Sequence, residues 1–437
     1  MGLFKSKEAE PIQGWANWKE CKENGYYKDD TVKDGIILGR QAFLEIHKLM
    51  YHSDNVVVLG DSGTGKTEHY VIPNIYQMNG NMVILDPYGK TLKETRHRLE
   101  SNGYIVDVFD ITNPSDSKYY NPFIYMENKP FAILNNMLDN IIEYIAKVDN
   151  TDDLFYIVNE KSLLKSLFLY VLDFEEPKNR NLGKIYEYLT LAKKQGGKEF
   201  SKRFEILEGK CKLCYAPYMS GCYKIKDSDK YNTVIDMALK DITHFICSSY
   251  NGLLYGTQED KNMLNLEDYT KKEKRALFII PDNRNLLNNL IIDILIHQLC
   301  SMRYYIGDET YMRNEYSNND KLPKNERLPF LHLILDGYDN IGNIKELVEM
   351  SATDRKYNMV ISVICRSVDA LNHHKDMFFA NAEAICYMGG QDKDTINCIS
   401  AQLDYYGIEK EEVLNLKDDE MIIFIHVSNS VLKDRKY

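Results

Sequence analysis

Apolar residues along this chain follow two kinds of pattern, and the pattern changes twice. Asn55–Leu59, Met82–Asp86 and Tyr104–Phe109 are short, nearly continuous apolar or alternating runs bounded by turn residues, which read as strands. Between them, helix-forming residues run to about Met78, interrupted by Pro73, and again over residues 89–101. Strand, helix, strand, helix, strand predicts a parallel sheet, because parallel neighbours need a crossover between them. From about Lys129 to Phe245 the period is helical instead, over Phe131–Val148, Leu154–Leu172, Leu182–Lys194 and Val234–Phe245. Strand-like runs return at Arg275–Asp282, Leu328–Asp336, Met359–Cys365, Ala384–Gly389 and Met421–Val427, with helices expected over Leu286–Arg303 and Ile344–Asp354. Residues 307–325 are polar and asparagine-rich and read as a surface loop. The expected organisation is an N-terminal arm and start of the core at 1–54, including a turn and short strand near Asp34–Arg40. A first core half follows at 55–128, then a mostly helical insertion at 129–255 and a second core half at 256–437.

One junction carries recognisable chemistry. After the run 55–59 comes Gly60-Asp61-Ser62-Gly63-Thr64-Gly65-Lys66-Thr67, which is Gly-x-x-x-x-Gly-Lys-Thr between a strand and a helix. Small residues let successive backbone N–H groups curl round an anion. Lys66 reaches the outer phosphates and the Thr67 hydroxyl can ligate Mg²⁺. Glu68 follows in the first turn of the helix, whose free N–H groups and positive end add to the cradle. The expected cofactors are ATP and Mg²⁺, and the fold class is α/β, a RecA-like P-loop NTPase core with a mainly parallel sheet interrupted by an all-α domain. Such a site needs a strand-end carboxylate to orient Mg²⁺ and its waters opposite Thr67. Asp336, which closes Leu331-His332-Leu333-Ile334-Leu335, is preferred on the expectation that its strand neighbours the phosphate-loop strand. Asp86 is the alternative, and Gly60 and Asp86 should share one rim at the carboxyl ends of the strands.

Composition narrows the classes. The chain has 437 residues, enough for two or three domains or one α/β core with an insertion, and its 44% hydrophobic and 27% charged content is that of a globular protein. No run reaches the roughly eighteen apolar residues of a membrane span, and Met1–Ser6 is too short and polar for a secretory signal. A formal charge of −11 argues against a surface that wraps nucleic acid throughout, so any DNA contact is local, such as a pore lining. Nine cysteines without an extracellular cue indicate a reduced, cytoplasmic chain. Cys211, Cys214 and Cys222, with a distant Cys247, have partial zinc-ligand spacing; the glycine knuckle of a zinc ribbon is missing, and partly buried thiols are the simpler reading. The 32 tyrosines are spread too evenly to mark a base-stacking platform.

Further blocks occur in a fixed order. Pro73-Asn74 follows the phosphate loop, and Asp86-Pro87-Tyr88-Gly89-Lys90 closes the second strand. Tyr120-Asn121-Pro122-Phe123 comes next, then Ile334-Leu335-Asp336-Gly337-Tyr338-Asp339-Asn340-Ile341-Gly342, Arg355, Arg366-Ser367 and Tyr387-Met388-Gly389-Gly390-Gln391-Asp392. From roughly Val56 to Tyr437 these blocks resemble the VirD4/TraG family of type IV secretion coupling proteins, in the form carried by conjugative elements of low-GC Gram-positive bacteria. Members are ATPases that hand DNA–relaxase complexes to a conjugation channel. The resemblance implies a helical insertion that touches substrate and six subunits in a ring around DNA. It also implies a DNA–relaxase complex or other secretion substrate as partner. Many relatives begin with two transmembrane helices. Here the expectation is an anchor on a separate subunit, a cytoplasmic protein associated with the membrane through that partner, or a trimmed sequence.

The departures from the family are in the hydrolysis machinery. Gly337 stands where the family has the glutamate that polarises attacking water, and Arg366 where it has a glutamine near the γ-phosphate. Tyr88 and Lys90 replace a lysine and a glutamate. Losing a water-orienting group costs on the order of 10²–10⁴ in rate, so the expectation is ATP binding with weak or absent hydrolysis, and Gly337→Glu is expected to raise the rate if the rest of the site is competent. Asp339 or Glu68 are possible stand-ins. Arg366 is a candidate γ-phosphate contact within the subunit, and Arg355 an arginine finger towards a neighbouring one. Two other functions remain open: an ATP-bound scaffold that partners an active coupling ATPase, and a soluble DNA-translocating or packaging ATPase.

Overall fold

The computed structural model describes residues 14–24, 26–27, 35–46, 53–146, 153–208, 212–246, 251–257, 259–315, 328–341 and 344–437. Eleven strands are found among them: β1 (Gly35–Ile37), β2 (Phe43–Glu45), β3 (Asn55–Leu59), β4 (Asn81–Leu85), β5 (Ile105–Asp110), β6 (Arg275–Ile280), β7 (Leu331–Asp336), β8 (Met359–Cys365), β9 (Ala382–Tyr387), β10 (Glu420–Ile425) and β11 (Ser430–Arg435). β1 and β2 form a small antiparallel pair. The other nine form one sheet in the order β11-β10-β9-β3-β8-β7-β4-β6-β5. From β9 through β6 the pairings are parallel, while β9–β10 and β10–β11 are antiparallel. Every residue of β3, β4, β7 and β8 is buried. That explains why these strands are unbroken apolar runs: a parallel strand covered on both faces has no solvent side to alternate with.

The chain divides into two compact units. One comprises residues 1–107, 268–280 and 307–437; the other comprises 108–267 and 281–306, a wider and split segment compared with the 129–255 expected from periodicity. The first unit contains the sheet core, where Val56, Val58, Ile84, Phe278, Ile334, Val360, Ile364, Cys386 and Ile423 pack together. The second unit is mainly helical. Its longest complete helix, Leu154–Phe174, buries Leu163, Leu164, Leu167 and Phe168, and ring stacking ties Phe168 to Phe123 at 4.9 Å and Phe204 to Tyr218 at 4.1 Å. Cys214 and Cys222 are buried in this unit and form no disulfide among the described residues. The Cys222 thiol donates to the Asn159 carbonyl at 3.3 Å, and burial pushes it up to about 12. Cys211 and Cys247 lie outside the described residues, and among the described ones no three His, Cys, Asp or Glu side chains gather as a metal site.

Three elements differ from the sequence reading. The helix Leu290–Glu315 continues through residues expected to be loop. Residues 308–315 contain no proline and include the helix formers Glu309, Met312 and Arg313, and Asp308 is anchored by Lys356 at 2.5 Å and by the Tyr357 hydroxyl at 3.0 Å. The C-terminal apolar run is the first strand of a hairpin whose second strand, β11, is largely buried but carries Lys433, Asp434 and Arg435. After the phosphate loop, Thr67–Val71 is a π-helical turn leading into the α-helix Ile72–Gln77. Proline has no N–H for an intrahelical bond, and the wider turn before Pro73 accommodates it without ending the helix. No helix among the described residues is long and apolar enough to cross a membrane.

Candidate nucleotide site

β3 delivers the chain into the phosphate loop at the centre of the sheet. Gly63 and Gly65 have φ of +85° and +83°, the left-handed region where glycine carries no penalty. The Thr64 hydroxyl donates to the Asp61 carbonyl at 2.9 Å and closes the loop on itself. The Lys66 ammonium donates to the carbonyls of Gly60 and Asp61, the latter at 2.9 Å, so the cation is folded against its own loop. Burial pulls its pKa down, partly countered by Asp336. Asp61 is a strut. Its amide donates to the Gly389 carbonyl at 3.1 Å, and its carboxylate accepts the Gln391 amide at 2.5 Å. Gly390, with φ of +153°, has no room for a side chain, since a Cβ there would lie 2.5 Å from Asp61 Oδ1. From the far end of the chain, the Lys436 ammonium donates to the Thr64 carbonyl at 2.9 Å.

The Thr67 hydroxyl donates to Asp336 Oδ2 at 2.6 Å, which brings the two expected Mg²⁺ ligands together. Burial pushes the Asp336 carboxyl up to about 6, against the opposing pull of the Thr67 hydroxyl and Lys66. The expected adjacency of their strands is not observed. β8 lies between β3 and β7, and Asp336 meets Thr67 across its end because Thr67 sits on the helix that follows β3. Asp86 shares the same rim but is engaged elsewhere: Oδ2 accepts the Leu92 amide at 2.7 Å, at the start of the helix Lys90–Ser101. A cleft of about 280 Å³ runs along this rim, lined by phosphate-loop residues, Asp86, Asp336, Asp339 and Arg366.

The side of the cleft beyond Asp336 begins with a glycine turn. Gly337 has φ of +66°, and a Cβ there would lie 2.6 Å from Asn340 Nδ2 and 2.8 Å from Pro87 Cγ. The backbone at 337 is thus shaped for glycine, and a side chain there requires the turn to shift. Its carbonyl accepts the Asn340 amide at 2.8 Å and Asn340 Nδ2 at 2.9 Å, closing a single helical turn over Tyr338–Asn340. Arg366 donates from Nε at 2.7 Å and from Nη2 to Asp339 Oδ2. Asp339 Oδ1 is buried and has no hydrogen-bond partner among the described residues. At the outer rim Glu68 is paired with Lys90 at 2.6 Å, and Tyr88 is 82% exposed. Arg355 lies on the short turn Asp354–Tyr357, and its side chain is outside the described part of the structure.

Residues 14–431 match the family described as Type IV secretory system Conjugative DNA transfer. The chain belongs to this family. Among solved structures it is similar to the bacterial conjugative coupling protein TrwBdeltaN70 in complex with sulphate, with a TM-score of 0.65 at 13% identity over 97% of this chain and 93% of that one. The plasmid coupling protein TrwB in complex with ADP and Mg²⁺ gives a TM-score of 0.65 at 14% identity, with 97% and 93% of the two chains covered. VirB4 of Thermoanaerobacter pseudethanolicus gives 0.56 at 13% identity, over 94% and 97%. At these identities the likeness is one of fold, a P-loop NTPase core of RecA-like type. Among curated proteins the chain has no significant match.

For a member of the conjugative DNA transfer family, the structure also brings in residues that were not singled out as site residues. The Gly389-Gly390-Gln391 turn holds Asp61, and its paired glycines were already visible as a family block. Lys436 was not foreseeable, because its contact with Thr64 spans 372 positions.

Proposed function

We propose that this chain is an Mg–ATP-binding coupling protein of conjugative DNA transfer that turns over slowly on its own. The observation that carries the reading is the 2.6 Å contact between the Thr67 hydroxyl and Asp336, with the Lys66 ammonium on the same rim. Two hard oxygen ligands placed together suit a divalent cation that keeps most of its other positions for water and phosphate. The glycine-turned loop supplies backbone N–H groups for phosphate oxygens, and TrwB, of the same fold, has been solved with ADP and Mg²⁺. Bound Mg–ATP supplies the reactive phosphoanhydride. The chain binds it through residues 60–68, with Lys66 moving from its own loop's carbonyls to the outer phosphates, and Thr67 with Asp336 orients the metal.

In this reading subunits assemble as a ring, six by family resemblance, and Arg355 reaches the phosphates of a neighbour. The substrate is a DNA–relaxase complex or another secretion cargo, contacted locally, and a membrane-anchor subunit holds the cytoplasmic chain at the channel. A second reading, a nucleotide-locked scaffold beside an active ATPase, draws on Gly337, whose backbone excludes the usual glutamate. Phosphate release with and without single-stranded DNA separates the two. The coupling reading expects slow turnover, below about 1 s⁻¹, that DNA stimulates; the scaffold reading expects none, with nucleotide-dependent assembly alone. Mass measurement with ATP present tests the ring, and a persistent monomer contradicts it.

A further inference from the structure

We propose that Asp339, held by Arg366, is the carboxylate that orients the attacking water in this chain, in place of the glutamate that Gly337 replaces. The inference rests on the Mg–ATP-binding reading above and deepens it.

The argument begins with the backbone. Gly337 adopts φ of +66° and, through its carbonyl, accepts both donors of Asn340, which bends the chain sharply as it leaves β7. A residue with a side chain at 337 would meet Asn340 and Pro87. The resulting turn places Asp339 in the cleft lined by Lys66, Thr67 and Asp336. The glycine and the aspartate are thus one linked change: the residue that cannot carry a carboxylate is the one that lets the next carboxylate fold back.

Arg366 fixes that carboxylate. It is the first residue after β8, the strand between the phosphate-loop strand and β7, so it emerges between the two halves of the site. Nε and Nη2 both donate to Oδ2, which leaves Oδ1 buried and without a donor. A buried carboxylate oxygen is ordinarily hydrogen-bonded, and Asp339, a residue lining the cleft, has one left over for a donor, which a small shift of the side chain would expose to the cleft's water. The other carboxylates at the rim are committed. Asp336 accepts from Thr67, Asp86 accepts from the Leu92 amide, and Glu68 is paired with Lys90 near the solvent. Among the described carboxylates that line the cleft, Asp339 has a buried oxygen left without a partner.

The step balances without a further reactant. The water oxygen bonds to the γ-phosphorus while the bond to the β–γ bridging oxygen breaks, and ADP leaves with that electron pair. The water proton passes to Asp339 Oδ1 and from there to the inorganic phosphate released.

The test measures MgATP affinity by fluorescent-nucleotide titration and phosphate release in the presence of single-stranded DNA, on the full chain. The expected result is wild-type release above that of Lys66→Ala. Asp339→Asn should lower kcat by about 100-fold with affinity changed less than about threefold, since the phosphate loop, Thr67 and Asp336 keep their places. Asp339→Glu should recover part of the loss, and Arg366→Ala should lower kcat about tenfold, with Arg366→Lys intermediate. Unchanged kcat in Asp339→Asn overturns the proposal, as does a wild type that binds MgATP but releases phosphate no faster than Lys66→Ala. Should Asp339→Asn fail to fold, Arg366→Ala decides, because that side chain is 62% exposed, and an unchanged kcat there overturns the proposal too. A wild type that does not bind MgATP at all refutes the underlying function reading instead.

Discussion

On one side of the cleft, the phosphate loop, Thr67 and Asp336 are joined by contacts that the motif itself demands, with Thr67 and Asp336 2.6 Å apart. On the other side, Gly337, Asp339 and Arg366 are joined by an ion pair and a glycine turn that no general motif describes. The first side works largely through backbone: N–H groups on glycine-permitted dihedrals, braced by Asp61 against the 389–391 turn. Its geometry belongs to the chain path, and few other sequences can follow that path. The second side works through side chains, and a charge can be delivered to the same place from a neighbouring position. The loop side is therefore set by the path of the chain, while the Asp339–Arg366 side is set by side chains brought together from two strands.

The sharpest way to break this contrast is Gly337→Glu. The comparison expects no gain in phosphate release and a loss of stability of about 3 kcal/mol, from left-handed strain of about 1–2 kcal/mol and overpacking against Pro87 and Asn340 of about 1–3 kcal/mol. Thermal melts and phosphate release check it, and a faster, equally stable variant would mean that the second side is merely damaged. Next in size, Gly390→Ala should cost about 2 kcal/mol by driving a Cβ into Asp61. Because Asp61 braces the phosphate loop, MgATP affinity should fall about tenfold, the equivalent of about 1.4 kcal/mol. A titration showing unchanged affinity would mean that the loop holds its shape without the brace.

The smallest effect expected on nucleotide affinity is that of a control on the shared core. Burial, with Asp54 adding to it, pushes the Glu383 carboxyl at the start of β9 up to about 8, against a reference near 4.3 for an unfolded glutamate. A carboxyl raised by folding contributes stability that is complete below about pH 4 and is lost as the pH rises through about 8. Glu383→Gln should therefore raise the melting temperature at pH 9 and do nothing useful at pH 4. MgATP affinity should not change. If it does, stability and cleft chemistry are not separable and the two-sided comparison loses its footing.

Legibility in the sequence followed the same division. The phosphate loop could be read because its eight residues are contiguous and each has one physical job, and Asp336 because it ends an apolar strand. The buried strands β3, β4, β7 and β8 could be read because burial on both faces leaves continuous apolar runs. The strand order could not. That β8 lies between β3 and β7 depends on crossovers longer than any local pattern. Asp339 and Arg366 are 27 residues apart and meet only once two strands are side by side. The second strand of the C-terminal hairpin was missed because Lys433, Asp434 and Arg435 interrupt its apolar signal. Gly337 was legible as a glycine but not as a turn, since a positive φ leaves no trace beyond the glycine itself.

The most direct test of the account is calorimetric titration of MgATP into the wild-type chain and into Lys66→Ala. Loss of the charge-assisted contacts of one ammonium predicts affinity about 100-fold weaker in the variant, about 2.7 kcal/mol, with the fold intact by circular dichroism. Equal affinity in the two proteins would show that the phosphate loop does not hold the nucleotide, and the reading of the cleft would be wrong.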